Sequence, residues 1–234
     1  MRHVLPCLVG LTACFPGPVS TPPPAPPVEI AGTQVLMNVE TDWSQPAHFY
    51  DFPFPSDLRL LPTGEPDLNG FPNDGNNLVV ESLRNASMER KGFPSIPVAY
   101  FTFEADLQQR DADAVIPAAS TSPVLLIDVD PDSPERGRLF PTVATTPKPD
   151  DYVPASLLAV SSRPGFVLAP SRTYAFVIMQ SLLDANGAAL GSPLVLEQLK
   201  AGVVPDGAKG EALKTLYAPP VSYTHLTLPT NREV

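Results

Sequence analysis

Residues 168–187 read Leu-Ala-Pro-Ser-Arg-Thr-Tyr-Ala-Phe-Val-Ile-Met-Gln-Ser-Leu-Leu-Asp-Ala-Asn-Gly. Leu168, Pro170 and Tyr174 have the arrangement of a tyrosine corner, in which a Tyr at the start of a strand bonds back to the backbone near the bend between two sheets. We expect Leu168 to fill the core, Pro170 to set the turn and Tyr174 to be structural. The apolar run after Tyr174 predicts a buried strand, and Asn186-Gly187 supplies the positive φ of a tight turn.

The rest of the body is divided into short strand-like segments by Pro, Gly, Asn and Asp. Regular strand spacing with turn signals between the strands is typical of a β-sandwich. The expected strands lie at 33–38, 96–104, 124–130, 138–145, 157–161 and 173–181. Together with the corner, they predict an all-β chain of the immunoglobulin-like or fibronectin-like sandwich class, with short C-terminal helices.

Side-chain alternation assigns residues to the core. In residues 98–104 it predicts that Phe101 and Phe103 face the core, whereas Thr102 and Glu104 face water. The third and the last of the expected strands are apolar on both faces, as in the central strands of a covered sheet. The core residues that we expect are Phe101, Phe103, Leu125, Ile127, Phe176 and Ile178.

The N-terminal segment predicts export and anchoring. Residues 1–13 have a basic start and a short apolar stretch, as in an export signal. Leu-Thr-Ala-Cys14 resembles a bacterial lipobox, whose Cys carries the lipid; an ordinary signal peptide with an incidental Cys is the alternative. The Pro-rich residues 14–28 predict a polyproline II tether. We therefore expect a body at residues 29–192, attached to the bacterial outer membrane or cell surface through Cys14, with the membrane as a partner.

The C-terminal segment predicts a helical connector at 193–220. Its two helices are expected at 193–201 and 206–217, where apolar residues recur at helical spacing. Residues 221–234 resemble a translated synthetic sequencing adapter, with a genuine polar tail as the alternative. If the tail is an artefact, the natural protein continues beyond Pro220, and a missing C-terminal domain is a further partner.

Composition bounds the chemistry of the chain. A net charge of −10 repels phosphate backbones and argues against a nucleic-acid partner. Pro accounts for 31 of the 234 residues, which argues against long helices because Pro breaks helix interiors. His48 is the one His outside the expected signal and tail, and no Gly-x-Ser-x-Gly nucleophile elbow accompanies it. A zinc site would need three or four N or S ligands, which the body does not supply. We therefore expect no catalytic residue in this chain.

Two clusters leave alternatives open. The acidic cluster of Asp128, Asp130, Asp132 and Glu135 has carboxylate spacing that suits calcium, but it lacks the Gly and the final Glu of an EF-hand loop. A solvated turn is therefore favoured over a calcium site, and no other cofactor is expected. The aromatic cluster Phe49, Tyr50, Phe52 and Phe54 predicts a strap packed over a sandwich edge, with an exposed contact surface as the alternative.

A family resemblance rests on a set of motifs in a fixed order. The motifs are Phe52-Pro-Phe-Pro-Ser-Asp-Leu-Arg59, Pro66-Asp-Leu-Asn-Gly-Phe-Pro72, the segment 124–130, Leu168-Ala-Pro-Ser-Arg-Thr-Tyr-Ala175 and Asp184-Ala-Asn-Gly187. As a set they resemble the N-terminal region of bacterial surface lipoproteins related to the virulence-factor lipase family, over roughly residues 45–220.

In that family an immunoglobulin-like β region precedes an α/β-hydrolase domain. The resemblance implies that this chain is the non-catalytic N-terminal module of a lipase-like or esterase-like hydrolase, and it carries no catalytic residue onto any position here. The alternative is a surface-displayed binding or adhesion module with no enzyme attached.

Overall fold

The structure, a computed structural model, describes residues 25–225, with side chains described up to residue 218. Its elements are α1 (Leu78–Met88), β1 (Val98–Thr102), β2 (Val115–Ile116), β3 (Val124–Asp128), β4 (Leu139–Phe140), β5 (Thr142–Thr145), β6 (Leu157–Ser162), β7 (Tyr174–Ile178), α2 (Leu194–Lys200) and α3 (Gly210–His225). The expected export signal, the anchor at Cys14, the tether up to residue 24 and the tail from residue 226 onward lie outside the described residues.

Two antiparallel sheets form the body. The four-stranded sheet has the order β1-β6-β5-β2, and the three-stranded sheet has the order β4-β3-β7. Leu158 and Val160 of the first sheet share a buried cluster with Val124 of the second, and Phe176 and Ile178 pack against that cluster. The prediction of a chain built mostly of strands in two sheets, with a few short helices, is confirmed.

The apolar character of β3 on both faces has a structural cause. All five of its residues are buried. Val124 packs against the other sheet, and Leu126 packs with Phe140 and Leu168. Leu125 and Ile127 contact the outward residues of β7 and its continuation at Met179. A central strand with both faces covered reads as a continuous apolar run instead of an alternating one.

The six expected core residues divide into two groups. Phe103, Leu125 and Ile127 are buried. Phe101, Phe176 and Ile178 are half-buried and pack against the core cluster between the sheets. Both sheets therefore contribute expected core residues, with β1 and β7 at the margin of the core because each is the first or last strand of its sheet.

The prediction that Thr102 faces water is wrong, because the aromatic segment covers the outer side of β1. Phe49 and Tyr50 pack there with Tyr100, and the backbone of Phe54 exchanges hydrogen bonds with Tyr100 at 3.1 and 2.6 Å. Thr102 is consequently buried. The aromatic residues thus form the expected strap, and residues 33–38 add only the single bridge of Val35 to Phe103 instead of a full strand.

The two C-terminal helices pack on the N-terminal part of the body. Leu199 of α2 and Leu213 of α3 share a buried cluster with Met37, Val39 and Trp43. Helix α2 matches the first expected helix, while α3 begins at Gly210 and extends past residue 220, the expected end of the connector. None of the helices between residues 25 and 225 has the length and apolar character that a membrane crossing requires.

Lys209 fixes the start of α3 against the same surface. Its Nζ donates to the carbonyl oxygens of Val39 at 2.8 Å and Thr41 at 3.1 Å, and it lies 4.1 Å from the centre of the Trp43 ring. A cation over an aromatic face is attracted by the ring quadrupole. Polar and apolar contacts therefore attach α3 to the segment that precedes the strands.

Leu213→Ala tests this attachment. Leu213 is fully buried, so we expect the substitution to lower the free energy of unfolding by about 2–5 kcal/mol, the range for Leu-to-Ala changes in cores. The measurement is urea unfolding followed by circular dichroism. Leu78→Ala is the control, because Leu78 is 80% exposed and its truncation should change stability by less than about 0.5 kcal/mol. Equal effects of the two variants would contradict the packing described.

Candidate functional site

The acidic cluster forms the turn between β3 and β4, and Asp128 lies at its base. The Asp128 side chain is fully buried. Its carboxylate accepts hydrogen bonds from the Ser133 hydroxyl at 2.6 Å, the Arg172 guanidinium at 3.3 Å and the backbone N–H of Asp130 at 3.1 Å. A buried carboxylate needs this kind of charged and hydrogen-bonded environment. The expectation of a solvated turn is therefore wrong for Asp128.

The rest of the turn is bonded to the chain just before β7. Asp130 accepts a hydrogen bond from the backbone N–H of Thr173 at 3.0 Å. Glu135 accepts from Arg172 at 2.8 Å and also pairs with Arg138. Arg172 thus connects two carboxylates of the β3–β4 turn to the corner that leads into β7.

These bonds bear on the calcium alternative. Both oxygens of Asp130 accept backbone N–H groups, from Asp132 at 2.9 Å and from Thr173, while Asp132 itself is exposed. Within residues 25–225, no group of three or more His, Cys, Asp or Glu side chains is placed to hold a metal ion. The geometry supports a turn fastened by Arg172, and calcium binding stays the alternative.

The charges of the turn shift the titration of Glu135. Hydrogen bonds from Arg172 and then Arg138 lower the pKa of the Glu135 carboxyl, and the bond to Glu135 raises the pKa of Arg172. A carboxyl whose pKa is lower in the folded state stabilises the fold above its unfolded pKa, which is near 4.5 for Glu. That stabilisation is lost as the pH falls through the folded pKa.

Glu135→Gln should therefore change the acid branch of the stability profile. We expect the variant to be less stable than the parent at neutral pH, and we expect the difference to shrink as the pH drops below about 4.5. Urea unfolding at a series of pH values from neutral to strongly acidic measures this difference. The matched control is Asp132→Asn in the same turn, whose carboxylate accepts no hydrogen bond from the described residues. A gap between parent and Glu135→Gln that stays constant with pH would contradict the assignment.

The tyrosine corner lies directly beside this turn. The Tyr174 hydroxyl accepts a hydrogen bond from the backbone N–H of Ala169 at 3.0 Å. Leu168 is buried beside Leu126 and Phe140, and Pro170 lies exposed at the bend. The backbone bond of Tyr174 and the contacts of Leu168 are those that a tyrosine corner requires.

The turn at Asn186-Gly187 is organised by Asp184. The Asp184 carboxylate accepts backbone N–H groups from Asn186 and Ala188, both at 2.9 Å. The bond from Ala188 is the main cause that lowers the pKa of the Asp184 carboxyl. The positive φ falls on Gly187, at 79°, which a Gly adopts without steric cost. Asn186 and Gly187 therefore serve the loop structure.

Arg59 is a buried cation whose burial the sequence patterns did not predict. It is only 4% exposed, and its guanidinium lies 4.4 Å from the Phe49 ring centre, 5.0 Å from Trp43 and 5.6 Å from Phe54. Nη2 donates to the carbonyl oxygen of Phe49, whereas Nε has no partner among the described residues. Burial lowers the pKa of Arg59 to about 10, with Asp67 opposing the shift.

A small cavity adjoins this guanidinium. It measures about 110 Å³ and is lined by residues that include Trp43, Arg59, Asp67 and Asn69. Pockets for drug-sized ligands begin at about 300 Å³. Because aromatic rings already surround the Arg59 guanidinium, we interpret this side chain as a support for the aromatic strap. The only sequence signal for it is an Arg that closely follows several aromatic residues.

His48 is paired with Asp51 on the same strap. The distance from His48 Nδ1 to the Asp51 carboxylate is 2.7 Å, and the His48 side chain is 45% exposed. A carboxylate that orients a His is one part of a hydrolytic triad, which also needs a nucleophile in hydrogen-bond reach of the other ring nitrogen. Among the described side chains, no Ser, Thr or Cys is bonded to His48.

Comparison with known proteins adds no assignment. No protein-family model, no curated protein and no solved structure matches this chain. The resemblance to surface lipoproteins of the virulence-factor lipase type therefore stays a prediction from the sequence motifs.

Proposed function

We propose that this chain is a non-catalytic, immunoglobulin-like β-sandwich module of a lipid-anchored bacterial surface protein, and that it holds a following lipase-like or esterase-like α/β-hydrolase domain. The observation that carries the proposal is the packing of α2 and α3 on residues 37–43. The segment that follows the tether and the helix at the far end of the body are joined there. A domain attached beyond α3 would be held in a fixed relation to residues 37–43, which follow the tether in the sequence.

The use of the polar side chains supports a scaffold role. Asp128, Glu135 and Arg172 fasten the β3–β4 turn to the corner before β7. Asp184 organises the next loop, and Arg59 supports the aromatic strap. Each of these groups bonds to its own chain and stabilises a turn, a loop or the strap.

The immunoglobulin-like type is supported by the corner. The Tyr174 hydroxyl bonds back to Ala169 at the entry to β7, as in the tyrosine corners of Greek-key sandwiches. The two antiparallel sheets, with Leu168 buried below the bend, suit the same class.

The anchor is tested by the processing of the full chain in an expressing bacterium. We expect globomycin, which blocks lipoprotein signal cleavage, to cause accumulation of the unprocessed form, and we expect Cys14→Ser to abolish membrane association. Cys7→Ser is the matched control, because Cys7 lies inside the expected signal and should not affect the anchor. Unchanged processing under globomycin, together with membrane association of Cys14→Ser, would count against acylation.

The attached domain is tested by sequencing the source gene past Pro220. An α/β-hydrolase reading frame with its nucleophile elbow is the expected result. A gene that continues into further immunoglobulin-like repeats would overturn the hydrolase proposal and favour the adhesion module.

One observation favours the binding or adhesion module as the second candidate. Helix α1 was not predicted from the sequence, and it exposes Leu78, Val79 and Leu83 to 80%, 67% and 63%. Exposed apolar residues that cluster together are typical of interaction surfaces. A surface of this kind suits a module displayed for binding.

A further inference from the structure

The outer edge of β7 carries backbone groups that no described residue satisfies. The bonds from Met179 N–H to Pro123 O and from Val129 N–H to Thr173 O, both 3.0 Å, show that the odd-numbered residues of this strand bond to β3. In an antiparallel ladder the even-numbered residues then point the opposite way. The N–H and C=O groups of Tyr174, Phe176 and Ile178 therefore point away from the sheet.

The other three sheet edges in the described part of the chain are protected. The edge of β1 is covered, because Phe54 bonds to Tyr100 and the N–H of Leu36 donates to Thr102 at 2.8 Å. Strands β2 and β4 have two residues each. Short or covered edges are the usual defence against pairing with another chain. Strand β7 has five residues and lacks that defence.

The sequence of β7 favours the addition of a strand. Residues 173–183 contain no charged residue, no Pro and no Gly. Edges that avoid pairing are commonly blunted by Lys, by Pro or by a bulge. The inner side chains of Phe176 and Ile178 lie half-buried against the core between the sheets. A partner strand would therefore have to be apolar on its inner face to continue that core.

We propose that β7 pairs antiparallel with β7 of a second copy of this chain, about a two-fold axis at Phe176. In this register Phe176 lies opposite Phe176 of the partner, and Tyr174 lies opposite Ile178. Every outward N–H then meets an outward C=O, because the three outward residues are spaced symmetrically about Phe176. A two-fold interface requires such a self-complementary surface. The two three-stranded sheets become one continuous sheet across the axis.

The charge distribution allows a second copy of the chain to approach at β7. The chain carries a net charge of −10, which would keep two copies apart at most surfaces. The segment between Arg172 and Asp184 is neutral, so two copies meet there without opposing like charges. This inference is independent of the proposed function.

The first experiment measures association of the full chain with Cys7→Ser and Cys14→Ser, which remove both thiols. We expect sedimentation velocity to show a monomer–dimer equilibrium over a concentration series. Val177→Lys should weaken the dimer by about tenfold or more, because an edge Lys on the outer face opposes strand pairing. The matched control is Val115→Lys on the edge strand β2, where Val115 is 44% exposed; it should leave the equilibrium unchanged.

The second experiment tests the register in the same background. Ala175 lies opposite Val177 of the partner in a non-hydrogen-bonded pair, where Cα atoms are about 4.5 Å apart and a disulfide fits. The double variant Ala175→Cys/Val177→Cys should oxidise to a covalent dimer. Neither single variant should cross-link comparably, because each Cys then faces an unsubstituted residue.

Three results would overturn the proposal. The first is a parent chain that remains monomeric at every concentration. The second is a Val177→Lys variant that is folded by circular dichroism and dimerises as well as the parent. The third is cross-linking of the single Cys variants as readily as the double variant, which would show a different register. If Val177→Lys does not fold, the comparison of single and double Cys variants decides the question.

Discussion

The pairing of β3 with β7 is the contact on which the rest of the sandwich depends. Strand β3 is buried on both faces and joins β4 on one side to β7 on the other. Three polar contacts hold one end of this pair: Asp128 with Arg172, Asp130 with the N–H of Thr173, and Tyr174 with the N–H of Ala169. Because these contacts converge just before β7, they fix which residues face β3, and a shift of one residue would exchange the two faces.

This register also explains why the chain needs few charged contacts in its core. Apart from Asp128 and the Tyr174 hydroxyl at one end of the pair, the side chains of β3 and β7 are apolar on both faces, so burial supplies most of the stabilisation. The buried charges at Asp128 and Arg59 are placed at the ends or edges of the sheets. Arg172 pairs with Asp128, and the aromatic rings of the strap surround Arg59. These groups shape the loops that close the sandwich.

Local patterns predicted β1, β3, β6 and β7, because a strand buried on both faces appears in the sequence as a continuous apolar run such as 124–127. The expected single strand at 138–145 is wrong, since the chain divides at Pro141 into β4 and β5, which belong to different sheets. The corner at Tyr174 was also readable, since its residues lie within seven positions of one another. Features that depend on distant segments were not readable. The burial of Thr102 depends on the strap at 49–54, and the burial of Asp128 depends on Arg172, which lies 44 residues further along the chain.

Helix α1 was missed for a different reason. Its N-cap, Asn77, accepts a hydrogen bond from Val79 N–H, which is a readable signal. Its apolar residues, however, are exposed and form no stripe that faces the core. The usual amphipathic pattern reports a buried face, so a helix that exposes its apolar residues escapes it.

Hydrogen exchange along β7, resolved by NMR in the Val177→Lys variant, tests the register most directly. The account predicts alternation: slow exchange for the amides of residues 175 and 177, which bond to β3, and fast exchange for those of residues 176 and 178, which point to solvent. Uniform protection along the strand, or fast exchange at 175 and slow exchange at 176, would contradict it.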